Sequence, residues 1–332
     1  MKKVTVAVAM VSALLLTPAA AFAADREIKE VFEVTPGEQL LVGTDTGAIT
    51  VESHPEDTVV VRVEIEGLDE DQFDVTMTYR NGVVEVIGEK ESTWFEWGWG
   101  SSKVRYYLLV PEQFNVELLT SGGSIEARNL EGAVAAKTAG GSLRFDGIDG
   151  EINGKTSGGS IRIGTVSGDV AAKTSGGSIS AERVEGNLNA RTSGGSIKLG
   201  RVTGMAEAKT SGGSIHVDAV GTGLSAKTSG GSIKATFYQQ PTEHSKLSTS
   251  AGGVTALVAA DVALNIDAKG SRVRSEFALE NADDSSKKSL SGTLNGGGPN
   301  LTLRTSAGNV RVLKIEPQHA SAAQPLSLPM AL

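Results

Sequence analysis

Six basic residues recur at intervals of 18 in the middle of the chain, and each stands directly before a threonine. They are Lys137, Lys155, Lys173, Arg191, Lys209 and Lys227. A lysine beside a glycine-rich turn can grip a phosphate, but a phosphate loop needs four residues between its glycines, and Gly150 and Gly154 enclose only three. Because the same Lys/Arg-Thr pair occurs in six units, the spacing favours a column of cations over a nucleotide site.

A second and weaker series of basic residues recurs at the same interval. Its members are Arg144, Arg162, Lys198, His216 and Lys234. If successive units stack, like charges in each series lie about 5 Å apart and repel one another unless solvent or a partner screens them. A linear polyanion along the stack would match the sign and the spacing of these charges. The alternative is that the cations only keep a flat sheet face soluble and prevent lateral association.

All three tryptophans of the chain lie in the short segment WFEWGWG at residues 94–100. The alternation places Trp97 and Trp99 on one face of an extended hairpin. Exposed, Trp94, Trp97 and Trp99 could stack on sugar rings or lie at a membrane interface. Folded inward, they would instead close the first coil of a stack.

The elements that position the cations follow from an 18-residue repeat. The hexapeptide TSGGSI, once varied to TAGGSL, starts at Thr120, Thr138, Thr156, Thr174, Thr192, Thr210 and Thr228. With each Thr counted as position 0, apolar residues recur at positions 5, 10 and 14, and Ala or Gly recurs at position 16. Apolar and exposed types alternate around these positions, which predicts two short strands in each unit.

Glycines at positions 2, 3 and usually 12 predict two corners with positive φ in each unit. One unit cannot bury its own apolar face, so successive units must stack. The sequence therefore predicts an all-β, single-stranded β-solenoid, similar to a parallel β-helix, with 18-residue coils. Stacked Thr at position 0 and Ser at position 4 would form hydroxyl ladders, bonding one another and the turn amides.

The remaining residues show no catalytic or metal-binding pattern. Cleavage of a polysaccharide needs two or three converging carboxylates, whereas the repeat acids gather towards the position-12 corner as in solvated turns. These acids are Glu131, Asp149, Glu151, Asp169, Glu182, Glu185, Glu207 and Asp218. The four histidines are isolated in sequence, and the chain has no cysteine. We expect no enzymatic activity, no cofactor and no bound metal.

The start of the chain predicts export. Lys2 and Lys3 precede an apolar run at residues 4–16 and the small-x-small sequence at 21–23, which together read as a signal peptide over residues 1–23. No later segment approaches the roughly 18 apolar residues of a membrane span, so we expect no transmembrane segment after cleavage. The periplasm is the first expectation for location, and the cell surface or the medium is the second.

Charge and repeat regularity divide the mature chain into four parts. Residues 24–119 form an acidic β region, expected to cap the solenoid with antiparallel strands. Residues 25–119 carry 21 acidic and 7 basic residues, a net charge of −14, whereas residues 120–237, the regular coils, carry 10 and 13, a net charge of +3. Residues 238–315 are expected to form irregular coils, and residues 316–332 a disordered tail. The overall charge of −8 argues against a general nucleic-acid binder.

The flanks contain degenerate forms of the repeat. GTDTGAITVE at residues 43–52 is similar to one unit, and TSAGGV and TSAGNV start at Thr249 and Thr305, 56 residues apart. That separation predicts roughly three coils with an insertion, which we place in a polar hairpin loop, NADDSSKK, at residues 281–288.

Four stretches resemble a known family of bacterial proteins. They are VFEVTPGEQLLVGTDTGAITVES, LLVPEQFNVELLTSGGSIEA, the run of TSGGSI coils and SGTLNGGGPNLTLRTSAGNVRV. Together they cover about residues 30–315 and resemble the adhesin-like, exported β-strand-repeat domains of unknown function. The resemblance implies an envelope or surface protein of β-solenoid type and supplies no catalytic residues.

These observations predict a non-enzymatic exported binding module that presents the basic columns and the Trp-rich loop. The expected partners are an anionic polysaccharide, lipopolysaccharide or another envelope component. The alternative is a purely structural or self-associating envelope protein. A polysaccharide-active enzyme is the least favoured reading.

Overall fold

The computed structural model describes residues 26–69, 71–90 and 102–315, and in these ranges every regular element is a β-strand. The strands form two sheets, called here sheet A and sheet B, with one continuous hydrophobic core. The predicted signal peptide and the predicted C-terminal tail lie outside the described residues. The all-β solenoid prediction is confirmed.

The N-terminal part contains seven strands. They are β1 (Arg26–Glu33), β2 (Gln39–Thr44), β3 (Ala48–His54), β4 (Thr58–Glu66), β5 (Phe73–Arg80), β6 (Val83–Lys90) and β7 (Lys103–Pro111). Strands β1, β3, β4 and β7 belong to sheet A, and β2, β5 and β6 belong to sheet B.

The seven central coils each place one strand in sheet B and the next in sheet A. Those in sheet B are β8 (Asn115–Thr120), β10 (Val134–Thr138), β12 (Ile152–Lys155), β14 (Val170–Lys173), β16 (Leu188–Arg191), β18 (Met205–Lys209) and β20 (Gly223–Lys227). Those in sheet A are β9 (Ile125–Glu131), β11 (Leu143–Asp149), β13 (Ile161–Ser167), β15 (Ile179–Glu185), β17 (Ile197–Val202), β19 (Ile215–Val220) and β21 (Ile233–Phe237).

The C-terminal part contains eight strands. They are β22 (Ser245–Thr249), β23 (Val254–Val258), β24 (Leu264–Lys269), β25 (Arg272–Ser275), β26 (Glu280–Ser286), β27 (Ser289–Leu294), β28 (Asn300–Thr305) and β29 (Asn309–Lys314). Strands β23, β25 and β29 continue sheet A, and the others continue sheet B.

Neighbouring central coils pair in parallel with a register shift of 18 residues, so equivalent repeat positions lie side by side. Because side chains alternate along a strand, one coil buries Ile161, Ile163 and Val166 from sheet A and Val170 and Ala172 from sheet B. Each of these side chains is at most 3% exposed. The coil interior is thin because each strand directs only two or three apolar residues inward.

The threonines at position 0 join successive coils at the corner. The hydroxyl of the buried Thr174 donates to the carbonyl oxygen of Gly159 in the preceding coil at 2.8 Å and accepts from the amide of Gly177 at 3.3 Å. Ser178 donates its amide to the hydroxyl of Ser160, one coil earlier, at 3.2 Å. Equivalent bonds occur from coil to coil. The predicted hydroxyl ladder therefore exists, but it bonds to the backbone and not from hydroxyl to hydroxyl.

The glycines at position 3 are required by close backbone packing. A Cβ on Gly177 would lie 2.1 Å from the carbonyl oxygen of Gly159, whereas a Cβ on Gly176 would lie 3.4 Å from the carbonyl oxygen of Gly158. Neither glycine has positive φ, so the prediction of positive φ is wrong for the TSGGS corner. It holds at the opposite corner, where Gly168, for example, has a φ of 148°.

At the N-terminal end the stacking order departs from the sequence order. The coil of β2 and β3 lies between the coil of β6 and β7 and the coil of β8 and β9. Thr44 pairs with Thr120, and Ile49 pairs with Ile125, so residues 43–52 do form a repeat unit. Outside this coil, β1 pairs with β4, β4 with β7 and β5 with β6, all antiparallel. The expected antiparallel cap is present, but it also contains two parallel coils.

At the C-terminal end the stacking order also differs from the sequence order, and here the last coil in the chain lies inside the stack. The coil of β28 and β29 lies between the coil of β22 and β23 and the coil of β24 and β25, so Thr249 pairs directly with Thr305. The interpretation of their 56-residue separation as roughly three stacked coils is therefore wrong. One coil and the hairpin of β26 and β27 form the outer layer instead. Residues 280–286 are a strand of that hairpin rather than its loop.

Candidate binding surface

The first basic series forms an in-register row on the outer face of sheet B, which we call the sheet B column. Lys155 pairs with Lys137 on one side and with Lys173 on the other, and the row continues in the same way to Lys227. Every member is exposed. Each cation precedes the buried threonine of position 0, so strand alternation directs its side chain outward.

Most cations of the sheet B column have no anionic partner. Arg191 forms an ion pair with Glu207 at 3.0 Å, and both side chains are 40–49% exposed. No other member forms an ion pair within the described part of the chain. Adjacent strands are about 4.8 Å apart, so the row carries closely spaced positive charge that its own carboxylates leave largely uncompensated.

The second series lies on the outer face of sheet A, across the TSGGS corner from the first, and we call it the sheet A column. Arg144 pairs with Arg162, which pairs with Ser180, and the row then continues through Lys198, His216 and Lys234. Arg144 contacts Glu126 at 3.1 Å, and Nε2 of His216 contacts Asp218 at 2.6 Å. Serine interrupts this row and two carboxylates compensate it, so its positive charge is weaker.

Both columns continue beyond the repeats into the C-terminal coils. In sheet B, Lys227 is followed by Ser248, then Arg304 and finally Lys269. In sheet A, Lys234 is followed by Thr255 and then by the two exposed cations Arg311 and Arg274. Sequence reasoning missed these four residues, because their order in the stack differs from their order in the chain.

The opposite corner carries five of the eight acids that the sequence placed there, namely Glu131, Asp149, Glu151, Asp169 and Glu185. The prediction is wrong for Glu182, Glu207 and Asp218, which lie within β15, β18 and β19. The Asp169 carboxylate accepts from the amide of Asn187 at 2.8 Å, and the Asn187 side chain accepts from the amide of Met205 at 2.9 Å. Glu131 pairs in register with Asp149, which pairs with Ser167. In residues 26–69, 71–90 and 102–315 no three His, Asp or Glu side chains are grouped so that they could hold a metal ion. The Asp169 carboxylate orders a turn, and the acidic corner ends at Glu185, because Thr203 takes the equivalent position in the next coil.

The Trp-rich loop lies outside the described residues. Trp94, Trp97 and Trp99 belong to the segment between β6 and β7. These two strands form the outermost complete parallel coil at the N-terminal end. Among the described residues, no helix is long and apolar enough to cross a membrane.

Comparison with known proteins adds a family match. The family model described as Toastrack DUF4097 matches residues 43–313, which is more than half of the chain. The match confirms the resemblance that the repeats and flanking stretches indicate. No curated protein matches the sequence.

Solved structures with detectable similarity are distant. A candidate adhesin from Bacteroides fragilis NCTC 9343 is 10% identical, with a TM-score of 0.36, over 88% of this chain and 98% of its own. A candidate lipid-binding protein from Parabacteroides distasonis ATCC 8503 is 11% identical, with a TM-score of 0.33, over 89% of this chain and 99% of its own. With TM-scores this low, these two likenesses carry no argument about the present chain.

Proposed function

The chain belongs to the Toastrack family, and from this premise we propose that it is a non-enzymatic, exported binding module that holds a linear polyanion along its solenoid. The solenoid is the scaffold, and the sheet B column is the principal contact. The sheet A column, across the TSGGS corner, is the secondary contact. The class of partner is an anionic polysaccharide, lipopolysaccharide or another polyanionic component of the cell envelope.

One observation carries this proposal, namely five exposed lysines of the sheet B column that lack a carboxylate partner. Like charges at strand spacing repel one another, and this repulsion costs free energy in every added coil. A polyanion with charges along its length relieves the repulsion and gains favourable contacts at the same repeat distance. A surface on which cations alternate with acids would keep the protein equally soluble without this repulsion. Solubility alone therefore does not explain an unbroken row of cations.

The Trp-rich loop is the proposed second contact. Trp94, Trp97 and Trp99 would stack on sugar rings of a glycan chain, because aromatic faces pack well on apolar sugar faces. The loop connects two strands at the N-terminal end of the stack, and the regular sheet B column begins at Lys137, three coils further along. One extended glycan could therefore reach both the loop and the column.

We place the protein in the periplasm, or on the cell surface as the second choice. The support for this location is the signal-peptide pattern of residues 1–23 and the implication of an envelope protein in the family resemblance. The charged columns would then face the anionic sugars of the envelope.

The test is a binding titration of residues 24–332 with lipopolysaccharide, an acidic polysaccharide and a neutral glycan, at low and at high salt. The triple variant Lys155→Glu, Lys173→Glu and Lys209→Glu reverses the centre of the sheet B column. We expect it to weaken polyanion binding by about tenfold or more at low salt, since each lost charge contact contributes a few tenths to one kcal/mol and each reversal adds repulsion. High salt should weaken binding by the wild type.

The matched control reverses three exposed cations outside both columns, Lys29→Glu, Arg80→Glu and Lys90→Glu. It has the same net charge as the column variant, so a general effect of charge would weaken both variants equally. Equal weakening, or unchanged affinity of the column variant, would contradict the column as the contact.

The neutral glycan separates the two proposed contacts. Binding that is insensitive to salt and is lost in Trp97→Ala with Trp99→Ala would assign the glycan to the loop. If none of the three ligands binds, the proposal fails and the purely structural or self-associating alternative takes its place. That alternative predicts oligomers that grow with protein concentration.

A further inference from the structure

The C-terminal end of the sheet B column contains a cleft of about 500 Å³ that the repeats do not build. Its lining includes three cations, Lys269, Lys288 and Arg304, and four hydroxyl residues, Thr249, Ser271, Thr305 and Ser306. We propose that this cleft is a binding site for a single phosphomonoester group. The proposal deepens the proposed function by naming a ligand chemistry, and it rests on that function only for the preference for anions.

The three cations converge because strands distant in sequence become neighbours. Lys269 at the end of β24 pairs in register with Arg304 of β28, and both occupy the place that a column lysine has in the repeats. Lys288 comes from the tip of the hairpin of β26 and β27. That tip is fixed over the corner, because the carbonyl oxygens of Lys288 and Lys287 accept bonds from the amides of Gly270 and Val273, both at 2.9 Å.

The cleft keeps a net positive charge. Arg304 forms an ion pair with Asp267, whose side chain is half exposed. Lys269 and Lys288 form no ion pair with any carboxylate of the described residues. Three cations against one carboxylate leave a charge of about +2, which matches the −1.5 to −2 of a phosphomonoester at pH 7.

The hydrogen-bonding groups match the same ligand. A phosphomonoester offers three acceptor oxygens, and the cleft offers two ammonium groups and one guanidinium group as donors. The exposed hydroxyls of Ser271 and Ser306 form no hydrogen bond to another described residue, so they remain available as further donors. Thr249 only shapes the wall, because its hydroxyl is already used at the corner, donating to the carbonyl oxygen of Gly231 at 2.8 Å.

The volume and the surroundings distinguish this site from the columns. A cleft of about 500 Å³ is larger than one phosphate and accommodates the sugar or glycerol that carries it. The neutral Ser248 separates Arg304 from Lys227, the last lysine of the regular column. The cleft can therefore be altered without changing the six cations of the regular sheet B column.

The test uses residues 24–332 and two phosphomonoester probes. Glucose 6-phosphate, with glucose as the neutral counterpart, represents a soluble source. Phosphatidylcholine vesicles with and without phosphatidic acid represent a lipid headgroup. The cleft variant is Lys269→Ala with Lys288→Ala, and the matched control, Lys155→Ala with Lys173→Ala, removes the same charge from the regular column.

We expect saturable binding of glucose 6-phosphate but not of glucose. The cleft variant should raise the Kd by at least about tenfold, because two charge-assisted contacts are lost, and the control should change it by less than about twofold. Binding only of vesicles that contain phosphatidic acid, with the same loss in the cleft variant, would support the site and identify a lipid headgroup as the source.

Two results would overturn the proposal. The first is that neither probe binds saturably. The second is that the cleft variant and the control variant weaken binding equally. Titration of the same variants with the acidic polysaccharide keeps this outcome distinct from a failure of the proposed function. If the columns hold the polymer, the control variant weakens polymer binding even when the phosphomonoester probes do not bind. Matching thermal denaturation of the two variants verifies that both are folded.

Discussion

The centre and the two ends of the solenoid are built from the same coil but are held together differently. In the centre, each coil pairs with the coil before it in sequence, and a buried threonine joins the two at the TSGGS corner. At the N-terminal end, the coil of β2 and β3 lies between two coils that both come later in the chain. At the C-terminal end, the coil of β28 and β29 lies between two coils that both come earlier. Regular repetition therefore extends a stack, whereas a change of order closes it.

Antiparallel strands cover three of the four ends of the two sheets. The outer N-terminal coil of β6 and β7 pairs with β5 and β4, and β24 of the outer C-terminal coil pairs with β27, all antiparallel, whereas β25 is the edge strand of sheet A. An outermost coil with an unpaired parallel edge would be a template for further chains. At the three covered ends the parallel stack therefore stops at an antiparallel outer strand, namely β1 in sheet A and β5 and β26 in sheet B.

The row of corner threonines that forms the hydroxyl ladder ends at a glycine at each end of the stack. Gly88 takes the place of threonine in the outer N-terminal coil, and Gly270 takes it in the outer C-terminal coil. A Cβ on Gly88 would lie 1.9 Å from the hydroxyl oxygen of Tyr106, which is 2.9 Å from the hydroxyl of Thr44. The glycine thus makes room for a tyrosine that satisfies the last threonine.

The largest effect that would test this difference comes from a methyl group at position 3. Gly177→Ala places a Cβ against the backbone of the preceding coil, and we expect a loss of about 3 kcal/mol in the free energy of unfolding. Gly176→Ala has room for its methyl group and should change stability by no more than about 0.5 kcal/mol. Denaturant unfolding of the two variants measures both values. Similar values would contradict close backbone packing as the reason for the second glycine.

A smaller effect should follow from cutting one step of the central ladder. Thr174→Val keeps the shape but leaves the carbonyl oxygen of Gly159 and the amide of Gly177 without this partner, which costs about 2 kcal/mol. Hydrogen exchange should locate the loosening in the two coils that the threonine joins. Ser175→Ala alters an exposed hydroxyl beside it and is the control. Equal exchange in both variants would show that the ladder does not hold the centre together.

The smallest effect concerns the closure of the ladder at the N-terminal end. Tyr106→Phe removes one hydrogen bond, and Thr44 keeps its bond to the carbonyl oxygen of Thr46 at 2.8 Å, so the expected loss is about 1 kcal/mol. The result is read from denaturant unfolding at pH 8. A loss of stability as large as that of Thr174→Val would show that the hydrogen bond between Tyr106 and Thr44 stabilises the N-terminal end as strongly as the central threonines stabilise the centre.

The same tyrosine predicts a dependence on alkaline pH. Burial raises the pKa of Tyr106 from 10.0 to about 12. A raised pKa means that the folded state holds the proton more tightly, so its stabilisation is complete below pH 10 and is lost as the pH rises towards 12. The advantage of the wild type over Tyr106→Phe should therefore shrink above pH 9 and reverse before pH 11.5, because a pKa raised from 10.0 to about 12 is worth more free energy than the single hydrogen bond. A constant difference over that range would contradict a buried, protonated tyrosine.

The repeat itself was predictable down to single residues. The period of 18 placed the lysines of the sheet B column in one register, Ile161 inside and Thr174 at a corner, and the structure has all three there. Two details were not predictable. Gly177 is required by contact with the preceding coil and not by its own φ, and Thr305 lies beside Thr249.

The sequence by itself determined the coil, because its period of 18 and the alternation of apolar residues fix which side chain points inward and which equivalents become neighbours. It also determined the position of the regular cations within the stack. Only the tertiary structure decided the order of the coils at the ends, since a strand edge accepts any coil of matching register and chain order does not select one. That order brings Lys269, Lys288 and Arg304 into one cleft, although no periodicity links them.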